Sequence, residues 1–333
     1  MNHLTEVLSV QSKFDNVIKK PFENKYNFMT NQTFTQSQKR FLESVGSLFD
    51  SKDKKKKLLF LKSSSDQGVI FNGGRNGAKY APQSLLSSFK KLTIDGKTSH
   101  YQMAEVEVAN PLEEQTDFKN AQVEQSKRIG LVLEQHKEAN ICHLGGGHDH
   151  IYSLLLAYAK QHRHVVVINV DAHADTRTDD QPNSGTPFRQ FAHDFNGDFH
   201  LYEIGLHPYS NSQSTLTTLS KGKMSVLWRD EVKNPLKLDQ FFSQIKNTIT
   251  KDTVLIFSLD ADALDGNEVP GVSAINPDGL SRDELIDLWR RYRQLNPSQS
   301  SVLGIYELNP VYDSPSMLSM RRMAAFIFET IRD

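Results

Sequence analysis

Three short segments concentrate side chains able to hold metal ions: His143-Leu-Gly-Gly-Gly-His148-Asp149-His150, Asp171-Ala-His173-Ala-Asp175 and Ser258-Leu-Asp260-Ala-Asp262-Ala-Leu-Asp265. In extended backbone, residues two apart point to the same side. Asp171, His173 and Asp175 can therefore converge if strand geometry continues past the strand's end, and so can Asp260 and Asp262. Four carboxylates in one crevice repel: at ~4 Å and an effective dielectric near 20, each like-charged pair costs on the order of 4 kcal/mol. A cation has to sit among them. Two divalent ions balance four aspartates, two neutral imidazoles complete the shell, and no thiolate draws the site toward structural zinc. Oxygen-rich ligation with a minority of histidine favours Mn(II), with Co(II), Zn(II) or Fe(II) as substitutes. Two such ions ~3.5–4 Å apart can hold a water acidified enough to be hydroxide near neutral pH. Taken alone, Asp-x-His is most often an ordinary loop and Asp-x-Asp a cap or turn. Their joint occurrence beside a triple-glycine turn carries the binuclear reading.

Each segment follows a continuous apolar run, and such runs are the mark of strands buried on both faces of a parallel sheet. Leu58–Leu61, Asn140–Leu144, His164–Val170, Leu201–Gly205, Val254–Leu259 and Ser301–Glu307 qualify, with Met103–Val108 and Met224–Trp228 as weaker candidates. Between them, Ala81–Lys90, Gln122–His136, Ile151–Lys160, Leu236–Thr248 and Asp283–Arg293 carry helical patterning. Strand and helix alternate over about 270 residues, which predicts one α/β domain spanning 57–333, with its site beyond the carboxyl ends of the strands. Residues 1–56 form a polar extension that could be helical or partly ordered, and it carries no interpretable motif.

GGGH, DAHAD and SLDADALD, in this order and followed by ELNP, resemble the signatures of the arginase/agmatinase/formimidoylglutamase (ureohydrolase) family. The resemblance covers most of the chain from about residue 57. It implies a three-layer α/β/α fold with a parallel sheet of about eight strands and two Mn(II) per chain with a bridging hydroxide. By position, His148, Asp171, Asp175 and Asp260 would hold one ion, and Asp171, His173, Asp260 and Asp262 the other. Asp171 and Asp260 would then bridge. The resemblance also casts Asp175 as the proton carrier to the leaving nitrogen and Glu307 as the partner of a cationic guanidinium or amidinium group.

Within that family, arginase-like and agmatinase-like members usually carry Ser-Gly-x-x-His after the second motif, whereas this chain has Ser184-Gly185-Thr186-Pro187-Phe188-Arg189-Gln190, with Phe in place of His. SGTPFRQ, SDQGVIFNGGRNGA (65–78) and PGVSA (270–274) look instead like the formimidoylglutamase branch. Its substrate, N-formimidoyl-L-glutamate, presents two carboxylates beside an amidine, so fixed cations are needed. Arg75 and Arg189 are the candidates, because guanidinium binds carboxylate bidentately. Arg177 is a weaker third, and Asn211 is expected to add a polar contact. His143 and His150 are expected to pack and hydrogen-bond around His148. His193 and His207 could lie near the pocket mouth, Cys142 is inert packing, and Gly266, where many relatives have Pro, should loosen its loop. The expected activity is hydrolysis of a C–N bond to give L-glutamate and formamide, as in histidine breakdown. The alternatives are agmatinase, arginase or another guanidino or amidino hydrolase, or a catalytically silent metal-binding regulatory protein.

Composition sets the outer bounds. The 333 residues are 38% hydrophobic, enough for a real core, and a mean hydropathy of -0.51 with no apolar run near ~18 residues argues against a membrane protein. With 39 basic against 40 acidic residues and a pI of about 6.9, overall charge makes no case for nucleic acid. Lys54–Lys57 reads as a solvated turn. A single cysteine and no recognisable secretory signal fit the cytoplasm. The expected partner is a small amidine bearing carboxylates, with no nucleic acid or membrane, and a homo-oligomer is left open.

Overall fold

The computed structural model describes residues 36–50, 52–92, 100–220, 223–296, 298 and 300–332. The chain divides into two compact units, Met1–Phe41 and Leu42–Asp333. Of the first, the described part is the start of helix Gln36–Gly46; residues 1–35, most of the polar extension, lie outside the described residues. The second unit contains the sheet.

Its eight strands are β1 (Lys56–Ser63), β2 (Tyr101–Glu107), β3 (Asn140–Gly145), β4 (His164–Val170), β5 (Asp198–Leu206), β6 (Met224–Trp228), β7 (Thr253–Asp260) and β8 (Val302–Tyr306). They pair in parallel throughout, in the order β2-β1-β3-β8-β7-β4-β5-β6. Every apolar run expected to be a strand is one. The run TVLIFSLD of β7 is buried along its whole length, as a strand covered on both faces must be.

Alternation along the strands splits the side chains between two helical layers. Leu58, Phe60, Cys142, Val166, Ile168, Leu255 and Phe257 join one core cluster with helices Ala81–Phe89, Pro235–Thr248, Arg282–Leu295 and Leu318–Arg332. The last of these, with Met320, Met323, Ala324, Ile327 and Ile331 buried, packs on Ala81–Phe89 and was not anticipated from the sequence. Helices Phe118–Gln135, His150–Ala159 and Pro187–Asp194 pack successively against one another, with the middle one against β3 and β4. This is a three-layer α/β/α sandwich. Among the described residues no helix is long and apolar enough to cross a membrane.

The strand order explains how distant motifs meet. β3, β8, β7 and β4 are successive neighbours, so the segments leaving their carboxyl ends, which carry His148, Glu307, Asp260 and Asp171, emerge side by side.

Candidate metal centre

The aspartates converge through turns rather than through continued strand geometry. β4 stops at Val170, and Asp171 Oδ1 accepts the backbone N–H of His173 at 2.8 Å. β7 stops at Asp260, whose Oδ1 accepts the N–H of Asp262 at 2.9 Å. The same local device is thus used twice. Each leading aspartate turns the chain with Oδ1 and presents Oδ2 to the centre. Asp175 then takes a left-handed backbone (φ 50°), as does Glu307 (φ 62°), conformations rare outside glycine that cluster at functional sites.

His148 arrives on the triple-glycine turn. A Cβ on Gly146 would overlap the carbonyl of Ser65, so only glycine lets that turn lie so close to the chain after β1. The His148 ring is fully buried, stacks on Tyr306 with centroids 4.8 Å apart, and meets the edge of Phe188 at 5.5 Å. Its Nε2 lies 2.8 Å from Ser258 Oγ. Its Nδ1 lies 2.9 Å from Asp175 Oδ2 and 3.2 Å from the Oδ2 atoms of both Asp171 and Asp260, yet it forms a hydrogen bond with none of them. His148, Asp171, Asp175 and Asp260 each offer a ligand atom within 4.8 Å of the others, and Asp171, His173 and Asp262 do the same. A buried nitrogen without a hydrogen-bond partner, aimed into converging carboxylate oxygens, is the arrangement that fits an ion with ~2 Å bonds. Asp171 belongs to both groups, so the residues present suit a pair of divalent ions.

Without cations, the cluster's electrostatics are strained. Burial, followed by the charges of Asp262 and Asp171, pushes Asp260 well above the usual carboxylate range, and burial with the Asp175 charge raises Asp171. His173 is pushed up to about 11, chiefly by the Asp262 carboxylate. Burial raises Glu307, with Asp262 and Asp175 adding to the shift.

A cavity of about 380 Å³ opens above the cluster, lined by His173, Asp175, Asp260, Asp262 and Glu307 at its base and by Arg75, Arg177, Asn211, Ser184 and Ser273 around it. Glu307 is fixed through Oε1, which accepts the His148 N–H at 2.9 Å. Arg75 forms part of the wall. Its guanidinium donates to Val272 O at 2.6 Å and Ser273 O at 3.0 Å and sits 4.2 Å over the Tyr312 ring.

Arg189 departs from the expected place. It is not among the lining residues, and its guanidinium donates to the backbone carbonyls of Arg177 and, at 2.7 Å, Asp179. Arg177, with Arg75, lines the cavity, held by Asp179 Oδ2 at 2.6 Å and by Asn72 Oδ1, with Gly185 leaving room for its guanidinium. Asn211 reaches the cavity wall, but its amide is fully engaged. Oδ1 accepts from Ala174 N at 2.8 Å, and Nδ2 donates to Ala172 O and His207 O, each at 2.9 Å. Gly266 is tied down rather than loosened, since its N–H donates to Asn276 O at 2.7 Å, a bond Pro could not make.

The flanking histidines behave as packing groups. His143 bridges Tyr306 OH at 2.9 Å and Ser63 Oγ at 2.7 Å, and His150 lies 3.1 Å from both Gln125 Oε1 and Ser65 O. His193 is exposed on Asp194, and His207 is buried under Tyr209; neither lines the cavity. Cys142 is buried, which pushes its thiol up and keeps it unreactive. Sequence reasoning missed Ser258, Tyr306, Asn169 and Glu203. Ser258 precedes Asp260 by two and so shares its face, while Asn169 donates to Glu203 Oε2 at 2.8 Å beneath Asp171. A charged residue inside the apolar run LYEIG was the available signal for Glu203.

Known proteins similar to this chain in sequence or fold are numerous. A formimidoylglutamase of Staphylococcus aureus is 30% identical over 253 residues, covering 75% of this chain and 78% of that protein. One from Staphylococcus carnosus is 29% identical over 264 residues, covering 78% and 82%. Among solved structures, formimidoylglutamase from Bacillus subtilis superposes with a TM-score of 0.74 at 22% identity, over 95% of this chain and 98% of that one. Trypanosoma cruzi formiminoglutamase with Mn2+ gives 0.69 at 24%, over 87% and 96%. The profile described as Arginase family matches residues 67–332, and with the shared three-layer fold and these relatives it follows that the chain belongs to the arginase family.

Proposed function

We propose that this chain is a manganese-dependent formimidoylglutamase, hydrolysing N-formimidoyl-L-glutamate to L-glutamate and formamide as a step of histidine breakdown. The observation that carries the reading is the orphaned, buried His148 Nδ1 aimed at three carboxylate oxygens beneath a cavity walled by arginines. The formimidoylglutamase relatives support the choice within the family. The catalytic unit is the stretch 57–333, and a cytoplasmic setting suits a chain with a single, buried cysteine.

His148, Asp171, Asp175 and Asp260 would hold one Mn(II), and Asp171, His173, Asp260 and Asp262 the other. Bound there, the two ions would supply Lewis acidity and acidify a shared water toward neutral pH. Glu307, lining the cavity with Oε1 fixed by the His148 N–H, pairs with the amidinium of the substrate and orients its carbon over the site. Asp175, also in the cavity wall, takes a proton from the attacking water and returns it to the nitrogen that leaves. Arg75 and Arg177 present fixed positive charge to the substrate carboxylates. Arg189 supports the site indirectly by holding the 177–179 segment that carries Arg177.

Purified protein loaded with Mn(II) is expected to release formamide from N-formimidoyl-L-glutamate and to leave arginine and agmatine intact. Urea release from arginine at a higher kcat/KM would overturn the assignment. Bound manganese with no turnover on any amidine or guanidine would favour a silent regulatory protein.

A further inference from the structure

The amino ends of β4 and β5 carry a second group of ligating side chains. His164 opens β4 and pairs in register with Asp198 of β5 and Thr253 of β7, while His200 pairs with Val166. Strand alternation therefore sets His164, Asp198 and His200 on one face. Their ligand-type atoms lie within 4.8 Å of one another. Asp198 Oδ2 is 3.5 Å from His164 Nε2, and its Oδ1 is 3.3 Å from His200 Nε2.

His164 is oriented as a ligand would be. Its Nδ1 lies 2.9 Å from Thr253 Oγ1, while its Nε2 is buried with no hydrogen-bond partner. With the ring proton on Nδ1 donated to the threonine oxygen, the Nε2 lone pair faces Asp198, the tautomer that metal-binding imidazoles adopt. Burial lowers the pKa of His164 and keeps that lone pair free. A cation already uses the spot: the Lys223 ammonium contacts Asp198 Oδ1 and lies 3.5 Å from His200 Nε2.

We propose that His164 Nε2, His200 Nε2 and the Asp198 carboxylate form a separate site for a borderline divalent ion such as Zn(II), which displaces the Lys223 ammonium. Two imidazoles and one carboxylate match the donor preference of zinc, and water fills the fourth position. The opposite cluster, richer in carboxylate, suits manganese. The length of β4 separates the two by ~20 Å, so occupancy of one does not require the other. An ion here ties the start of β4 to the start of β5, with Thr253 bracing from β7.

The test is Zn(II) titration by calorimetry on protein whose carboxyl-end site is already saturated with Mn(II), with retained manganese measured in parallel. Anomalous scattering at the zinc edge then locates the ion. One further ion per chain is expected between His164 and His200. His200→Gln and Asp198→Asn, at positions partly open to solvent, should each weaken it by at least about tenfold. Lys223→Met should strengthen it by about two- to fivefold. Circular dichroism confirms that each variant folds, and His164→Gln repeats the test from the buried side. Zinc scattering confined to the carboxyl-end site, unchanged affinity in His200→Gln and Asp198→Asn, or no gain in Lys223→Met would overturn the proposal. None of these readouts depends on turnover, so they stand apart from the fate of the formimidoylglutamase reading.

Discussion

Single side chains at this centre are fixed from two sides, and Glu307 shows the consequence. Its left-handed backbone is locked by its own N–H donating to Gly146 O at 2.8 Å, and its Oε1 is locked by the His148 N–H. Glu307→Gln keeps an oxygen for that N–H but removes the charge that, under the proposed function, pairs with the amidinium. Loss of a charged hydrogen bond is worth about 1.5–3 kcal/mol, so kcat/KM should fall roughly 10- to 150-fold with manganese content unchanged. Steady-state kinetics beside metal analysis checks this; manganese loss without a kinetic defect in the metal-loaded variant would remove Glu307 from the substrate. The six metal-capable residues stood out in the sequence because their chemistry is concentrated at strand ends, and the structure gathers them into two groups; Glu307 was singled out by the family resemblance. The place of Arg189 was not readable. Residue type announces a guanidinium, but only packing decides whether it faces a cavity or, as here, two backbone carbonyls.

Elements position these residues through loops as much as strands. The six inner strands were legible because burial leaves a continuous apolar run, the half-buried edge strands β2 and β6 gave weaker runs, and the turns after β4 and β7 leave no such pattern. Convergence of Asp171 with Asp175 was therefore expected on the wrong ground, strand alternation, when side chain to backbone hydrogen bonds produce it. Asn211 is the clearest case. Expected to touch substrate, it lines the cavity and also ties the segment 172–174 to the loop after β5 by two hydrogen bonds, with a third to His207 O inside that loop. Asn211→Leu leaves the Ala174 N–H unpaired, at about 1–3 kcal/mol if water cannot reach it, while Ala172 O and His207 O keep the backbone N–H groups of His207 and Ser210. Thermal stability should fall and the Mn(II) dissociation constant should rise, since His173 lies on the released segment and Asp175 follows it directly. Manganese titration and calorimetry measure both. A raised KM with unchanged manganese affinity would restore Asn211 to the substrate contacts.

The molecule as a whole concentrates negative charge at one end of its sheet, and its stability should record that. Asp260, Asp171 and Glu307 have folded-state pKa values raised above the ordinary carboxylate range, chiefly by burial. Metal-free folded protein then holds protons that the unfolded chain has released, so its stability falls as pH rises through that window. His173, pushed up to about 11, acts with the same sign. Its stabilising pairing with Asp262 is complete below the ordinary histidine range and is lost as pH climbs toward the raised value. Manganese bound at the proposed centre would oppose that slope, because ligands must shed protons to bind it and saturation at ~100 Kd adds about 2.7 kcal/mol. From about pH 5 to about pH 8, the Tm of chelator-treated protein should decline while the gain on adding Mn(II) widens. Scanning calorimetry across that range, with and without the ion, measures both limbs. Parallel curves would mean that the buried carboxylates are compensated by groups other than a bound cation, and the centre would lose its claim to be a metal site.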